Sequence, residues 1–512
     1  MGLLLLAALA VRLAVLSSPL GELDADEAVT GLMARHIALL GERPVFYWGQ
    51  SYLGTLEQFS AAPLFVLFGP TTLWLKVVPT IYSLLFIALS AFVARRLFGT
   101  GPALATAAYL AVPPAMLALW STRARGGYVE LLALGEALLL VTLLVARPPS
   151  HLAGLLRLSP SVLLALVWGV LAGLALWTHL LAVVYLVPCA AFVLLVGPRN
   201  PSTYAVLAAG FVAGAWPLLI DNLANEWATF ADLVTPSPLP YDPLQQAVRF
   251  FRVSVPVLAG VGVPVPPSDR TFFDRDYIAA TAGPGWAAGM ACVALAAALA
   301  LHWPSIRTCL ARKPDRAAEP AVLVGVTVLV VAAITLSSYG YFTSEPRYAL
   351  PVYASVPLLV GALWRLPVVW RVPIGLVVGV LHVRSLLLTP LILFSSDVVQ
   401  GNSVSRAQLI ATLEQRAVEH IHTDYWIGQP IMFESAERVL ANVVNGGPNR
   451  NLSLSEPVSA DPNSMWVFEK NSEGEHELQA RLAAAGASPQ VSDVSIYRIY
   501  ANVPREVLES YP

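Results

Sequence analysis

Charge is scarce in this chain. Asp, Glu, Lys and Arg make up 12% of its 512 residues, while 56% are hydrophobic. With a mean hydropathy of +0.65, that balance excludes an ordinary soluble globular protein. A formal net charge of −2 gives no footing for a nucleic-acid partner, and none is expected. Cysteine is scarce too: Cys189, Cys292 and Cys309 sit in or beside apolar runs without metal-ligand spacing, which leaves no disulfide framework. GxxxxGK[ST] is missing, so ATP-driven transport on this chain has no support. The lack of HExxH, GxSxG and a Cys/His set removes the zinc-protease and serine-hydrolase readings. There is no internal repeat and no low-complexity tract.

What the chain does have is apolar runs of roughly 18 or more residues, the length a helix needs to cross hydrocarbon. The fold class expected is a polytopic α-helical membrane protein with a small C-terminal extracytoplasmic α/β domain. About 11 spans are expected, near 2–20, 71–94, 101–119, 128–146, 161–178, 180–197, 203–220, 284–303, 320–338, 346–364 and 372–395. The first run has neither a basic n-region nor a small-residue cleavage site, and reads as a retained span rather than a signal peptide. A transmembrane domain over 1–395 would carry a first outer loop at 21–70 and a long outer loop at 221–283. The Pro- and aromatic-rich 221–283 stretch, with Pro236, Pro238, Pro240 and Pro243, suits short helices and turns packed on the outer face. Residues 396–512 form the second domain. Within it, helix is expected over Ala407–Ala417, strands at Ile421–Tyr425, Met465–Glu469 and Val494–Tyr500, and a capped helix from Ser472 and Glu475 to Gly486.

Lys and Arg set the orientation. One set of loops holds Arg95, Arg96, Arg147, Arg157, Arg199, Arg307, Arg312, Lys313, Arg316, Arg365 and Arg371, and is assigned to the cytoplasm. The opposite set still contains Arg123, Arg125, Arg249, Arg252, Arg270, Arg275 and Arg347. Basic residues on that side call for an anionic ligand or for ordinary solvated loops.

The densest polar stretch is Asp24-Ala25-Asp26-Glu27, directly after the first apolar run. Asp24 as N-cap with Glu27 three residues on is a capping-box pattern, and acids there suit the helix dipole. Asp26 has no such account. As a carboxylate shielded by bilayer and protein, its pKa would be pushed upward, which suits a general base. Behind it, Val29, Leu32, Met33, His36, Ile37 and Leu40 share one helical face, and the helix is expected to lie along the membrane surface. Gly41 and Pro44 would end it. Phe46, Tyr47, Trp48 and Tyr52 suit a membrane–water boundary. Glu57 is either a second acid of the site or a solvated residue at a helix start, the latter slightly favoured.

Arg123 and Arg125 precede Gly126-Gly127. Guanidinium groups and exposed backbone N–H groups would together hold a phosphate, with Tyr128 beside them and Glu130 orienting the arginines. The alternative is an ordinary loop with snorkelling arginines. His179, at the outer end of a span, is a structural histidine or a ligand. Arg347 at the mouth of a late span needs a partner, either Glu345 or a lipid phosphate, with Tyr348 next to it.

The Asp24–Glu27 segment, Arg125-Gly126-Gly127-Tyr128 and Arg347-Tyr348-Ala349-Leu350-Pro351 together resemble the GT-C glycosyltransferases. The branch of protein O-mannosyltransferases and lipid A aminoarabinose transferases is the most similar, over about residues 1–395. That resemblance implies transfer of a sugar from a polyprenyl-phosphate donor to an acceptor hydroxyl on the outer face of a bacterial plasma membrane. It implies Asp26 as base, with Asp24 and Glu27 beside it, and Arg123, Arg125, Arg347 and Tyr348 on the leaving phosphate. Glu57, Tyr128, Glu130, His179 and Glu345 are further substrate-binding candidates. The partners implied are the donor, membrane lipid, and a glycan, lipid or protein acceptor. No cofactor is expected; His179 with nearby acids leaves a divalent ion open but not indicated. Two other classes compete: a transporter or flippase, disfavoured by the absence of a repeat and by charges gathered at the interface, and a noncatalytic envelope scaffold, which leaves the acidic loop unexplained.

Overall fold

A computed structural model describes residues 1–148, 160–234, 242–262, 289, 293, 296–297, 299–313, 315–337, 345–394 and 402–511. Most of the expected 284–303 span, Pro236, Pro238, Pro240, Arg157, Arg270, Arg275, Cys292 and the 395/396 domain boundary lie outside the described residues. The first ten helices are α1 (Gly2–Leu16), α2 (Ala25–Arg35), α3 (Leu56–Phe68), α4 (Thr72–Phe98), α5 (Thr100–Ala111), α6 (Ala115–Trp120), α7 (Tyr128–Ala146), α8 (Pro160–Thr178), α9 (Val183–Val196) and α10 (Pro201–Ala224).

Among the described residues six helices are long and apolar enough to cross a membrane: α4, α7, α8, α10, Arg316–Thr335 and Val368–Thr389. The remaining expected spans take other forms. Helix α1 has 15 residues, short of the roughly 20 a straight span needs. The 101–119 run breaks between α5 and α6 at Val112-Pro113-Pro114, because proline supplies no N–H to continue the ladder. The 180–197 run is a 3-10 turn followed by α9, and 346–364 is 3-10 over Pro346–Ala354 before a short helix Val356–Ala362. The 221–262 stretch forms short helices at Ala228–Val234, Pro243–Arg249 and Val255–Leu258, as its proline content suggests.

Arg12 is the most costly residue in the first span, and its burial has a reason. Its guanidinium donates to Ala111 O at 3.1 Å, Leu110 O at 3.3 Å and Ser121 Oγ at 3.3 Å. Two of these acceptors are carbonyls left free at the C-terminus of α5 by the proline break. Helices α8 and α10 pack backbone to backbone: a Cβ on Gly169 would fall 2.2 Å from Leu207 O, and one on Gly214 2.2 Å from Val170 O. Such close approach between apolar helices requires small residues at the crossing.

The C-terminal region carries a five-stranded sheet: β1 (His420–Asp424), β2 (Leu440–Asn445), β3 (Met465–Glu469), β4 (Gln490–Val494) and β5 (Tyr497–Ala501), in the order β2-β1-β3-β5-β4. β1 runs parallel to β2 and β3, while β5 is antiparallel to β3 and β4. Helix Asn402–Gln415 and the capped helix Glu473–Ala484 stand close to their expected places, with Gly486 at φ 62 past the helix end. The run expected as one strand at Val494–Tyr500 is a hairpin instead, turning at Ser495-Ile496.

The expected surface helix is α2, and protein covers its apolar face. Val29, Leu32 and Met33 are fully buried, as are Glu27 and Thr30 on other sides. Its apolar stripe meets the domain helix Tyr425–Glu434: a Cβ on Gly31 would lie 2.5 Å from the Phe433 ring, and Phe433 stacks on Phe65 of α3 at 6.1 Å. Burying each large aliphatic side chain there contributes roughly 1.5–3 kcal/mol. A distant segment thus covers the face that the sequence pattern alone would leave to lipid. His36, counted in that apolar stripe, bonds Glu42 at 2.7 Å and Glu437 at 3.0 Å.

Candidate active site

The acidic turn opens α2 as a complete capping box. Asp24 Oδ1 accepts from Glu27 N at 3.0 Å, and Glu27 Oε2 accepts from Asp24 N at 3.3 Å. Glu27 does more than cap. Lys76 of α4 donates to its two oxygens at 2.7 and 2.8 Å, and Ala124 N donates to Oε1 at 2.9 Å. One buried carboxylate therefore ties the acidic turn, α4 and the arginine loop together.

The arginine loop faces that turn. Arg123 pairs with Asp24 and lies 3.4 Å from Glu27; Arg125 pairs with Asp26 and lies 3.5 Å from Asp24. Gly126 and Gly127, both at positive φ (81 and 84), turn two successive amides inward. They donate to Glu57 Oε2 at 2.8 and 3.1 Å. Two expectations change here. Glu57 is buried rather than solvated, and the Gly-Gly amides hold a protein carboxylate rather than standing open for a phosphate. Glu130 does not orient the arginines either; both its oxygens are buried without a hydrogen-bond partner among the described residues.

Trp120 is the centre of the opposite wall. Arg125 lies 5.7 Å and Arg347 5.9 Å from its ring centroid, so two cations from distant segments flank one indole. Arg347 also lies 5.0 Å over the Tyr348 ring, donates to its hydroxyl at 3.3 Å, and ion-pairs with Glu345. Glu345 thus supplies the partner that Arg347 required. Burial pushes the Glu345 carboxyl up, to about 7, against the pull of Arg347 and Arg125. Tyr128 packs between Trp120 at 5.0 Å and His179 at 4.7 Å, with Tyr348 at 6.3 Å. His179 accepts from Leu181 N at Nδ1, and its buried Nε2 has no hydrogen-bond partner among the described residues.

Asp26 sits where the two walls meet. Arg125 holds Oδ2, and the Tyr425 hydroxyl donates to Oδ1 at 2.7 Å. The Tyr47 hydroxyl donates to the Asp26 carbonyl at 3.0 Å, which places this buried tyrosine beside the acidic turn. Burial alone would push the Asp26 carboxyl upward, as expected from its position. Arg125 and the Tyr425 hydrogen bond, with Arg450 farther off, outweigh that and bring it down to about 2. Held by these partners, Asp26 is a firmly ionised and weakly basic carboxylate.

Among the described residues no group of three or more His, Cys, Asp or Glu side chains is placed to hold a metal ion. The site residues missed in the sequence are Lys76, Trp120, Tyr425 and Arg450. Trp120 adjoins the arginine loop and could have been found from that position; nothing local marks the other three.

The described helices and the C-terminal sheet form a polytopic α-helical membrane protein with a small α/β domain, the fold class expected from the sequence. Two crystal structures of ArnT from Cupriavidus metallidurans share this fold. The apo state has a TM-score of 0.58 at 13% identity over 95% of this chain and 94% of that one. The form bound to undecaprenyl phosphate gives 0.59 at 14% over 98% and 97%. The Archaeoglobus fulgidus oligosaccharyltransferase tethered to an acceptor peptide gives 0.50 at 12% over 98% and 74%. No family model and no curated protein matches the chain.

Proposed function

We propose that this protein transfers a sugar from a polyprenyl-phosphate-linked donor to an acceptor hydroxyl at the outer face of the membrane. The observation that carries this reading is the meeting of Asp26 with Arg125, and of Arg125 with Arg347 across Trp120, at one interface of the helical region. The ArnT fold bound to undecaprenyl phosphate supports the donor class, and the oligosaccharyltransferase with its acceptor peptide supports an acceptor site on the same scaffold.

In the reaction, the bond from the sugar's anomeric carbon to the phosphate oxygen breaks, and that oxygen keeps the electron pair. The acceptor oxygen bonds to the anomeric carbon and loses its proton to Asp26. The leaving phosphate gains a negative charge as the bond opens. Arg125 and Arg347, with Arg123 and Tyr348 at the edges, stabilise the charge that develops there. A bound phosphate also competes for Arg125, which frees Asp26 from the cation that holds its pKa down. Donor binding would then make the carboxylate a better base. The arginine-rich loop set at the other end of the helices supports an extracytoplasmic site.

The test is release of undecaprenyl phosphate from synthetic undecaprenyl-phosphate hexoses and pentoses, supplied with envelope glycolipid and protein acceptors. Asp26→Asn is expected to insert normally and lose at least about a hundredfold in rate, the scale of general-base catalysis. Arg125→Ala is expected to weaken undecaprenyl phosphate binding. Full transfer by Asp26→Asn would remove the base assignment. Vesicles that move the lipid without making product would favour a flippase.

A further inference from the structure

The C-terminal domain reaches into the site through two residues. Tyr425 is the first residue of the helix Tyr425–Glu434, and Arg450 lies in the loop after β2. Tyr425 donates to Asp26 Oδ1 at 2.7 Å, and Arg450 Nε donates to the Tyr425 hydroxyl at 3.3 Å. The Arg450 guanidinium stands 5.5 Å from the ring centroids of both Tyr47 and Tyr425. A cation held between two tyrosines thus polarises the hydroxyl that binds the carboxylate.

From this chain of contacts we infer that Tyr425 and Arg450 are positioning residues for Asp26, so that the C-terminal domain completes the active site of the helical region. The inference rests on the reading of Asp26 as the base. A carboxylate has two soft degrees of freedom, the χ1 and χ2 torsions, and a single salt bridge at Oδ2 leaves it free to swing. A second donor at Oδ1 fixes its plane, while each oxygen keeps a lone pair for an incoming hydroxyl. The tyrosine itself is anchored. It is buried against Ala25, Val29, Met33 and Val443, on the helix that docks on α2 through Phe433. The acidic turn and its orienting donor therefore belong to one packed unit.

Among the described residues, the charged and titratable groups that face Asp26 include Arg125 from the loop before α7, which it shares with Asp24 on its own turn, Tyr47 from the first loop and Glu345 from the late segment. Tyr425 and Arg450 come from the domain. The hydrogen bond from Tyr425 and the charge of Arg450 both favour the ionised carboxylate. Removing either raises the pH at which Asp26 takes up a proton.

Carbodiimide with an amine nucleophile labels protonated carboxyls, and mass spectrometry of the Asp26 peptide reads the extent without any substrate. The probe is applied to the full-length protein in detergent across pH 4–7, for wild type, Tyr425→Phe and Arg450→Gln. Phe keeps the ring packing, and Arg450 lies half-buried at the rim, so both replacements leave the core intact. For Tyr425→Phe, about tenfold more Asp26 labelling at a fixed pH is expected, equivalent to one unit, with a smaller gain for Arg450→Gln. The acid limb of undecaprenyl phosphate release is expected to move to higher pH in step, with kcat lowered and donor KM unchanged. Unchanged labelling in both variants overturns the inference, as does a loss of rate that merely follows a loss of thermal stability. Full activity in Asp26→Asn would end the base reading and leave the labelling result standing.

Discussion

Glu27 looks like a capping residue and acts as a clamp. Its pair with Lys76 is fully enclosed, and the same carboxylate receives the Ala124 amide. Removing one partner of a buried ion pair leaves a stranded charge, at a cost of about 3–5 kcal/mol. Lys76→Met is therefore expected to lower the unfolding temperature in detergent by several degrees and to loosen the loop that carries Arg123 and Arg125. Thermal unfolding checks the first effect, and proteolysis near residue 123 checks the second. The capping half of this arrangement was legible in the sequence because Asp24 and Glu27 are three apart. The clamp was not, since Lys76 lies 49 residues away inside an apolar run. Asp26 itself was identifiable as the acid without a capping role, but its ionisation was not legible. Burial is visible in the pattern of neighbours, whereas the cation and hydroxyl that reverse its effect come from elsewhere in the chain.

At the scale of elements, the junction between α2 and the domain is electrostatic as well as apolar. Beyond the stacked phenylalanines, Glu437 bonds Arg35 at 2.8 Å and His36 at 3.0 Å. Burial lowers the His36 pKa, but the hydrogen bonds its ring donates to Glu437 and Glu42 outweigh it, and the net shift is upward from 6.5. A raised folded-state value means that the contact contributes its full stability below pH 6.5. That contribution is lost as pH rises through the higher folded value. Hydrogen exchange in the segment His36–Leu40 is therefore expected to accelerate on going from pH 6 to pH 8.5, after correction for intrinsic rates. His36→Gln is expected to abolish the extra dependence. The periodicity of α2 correctly announced an amphipathic helix. It could not say whether lipid or protein covers the apolar stripe, because both present the same chemistry to Val29 and Leu32. The break between α5 and α6 was open to reading from Pro113-Pro114, and Arg12 shows why a proline break inside a membrane protein is tolerable: the freed carbonyls have a donor.

For the molecule as a whole, the orientation assigned from Lys and Arg makes a direct prediction. In a cysteine-free background, Gln490→Cys on the exposed outer strand β4 is expected to react with a membrane-impermeant maleimide in intact cells. Arg312→Cys, exposed at the opposite end, is expected to react only after lysis. The reverse pattern would place the site on the cytoplasmic side. Long apolar runs gave away the class of the fold, since length and hydropathy are local properties. The segments bent by proline, such as Pro346–Ala354, were harder to assign for the same reason: their composition is that of a span and their backbone is not.

The distance along the chain between Asp26 and Tyr425 also bears on biosynthesis. The two are 399 residues apart, and at cellular synthesis rates the ribosome needs roughly 20–80 s to cover that length. During that time the acidic turn already exists, but its orienting donor does not. A nascent chain that could bind an activated lipid-linked sugar would have no fixed base to direct the chemistry, and little means of wasting the donor on water. On the proposed reading, competence for transfer would be acquired only after Tyr425 has been made and its domain settles on α2.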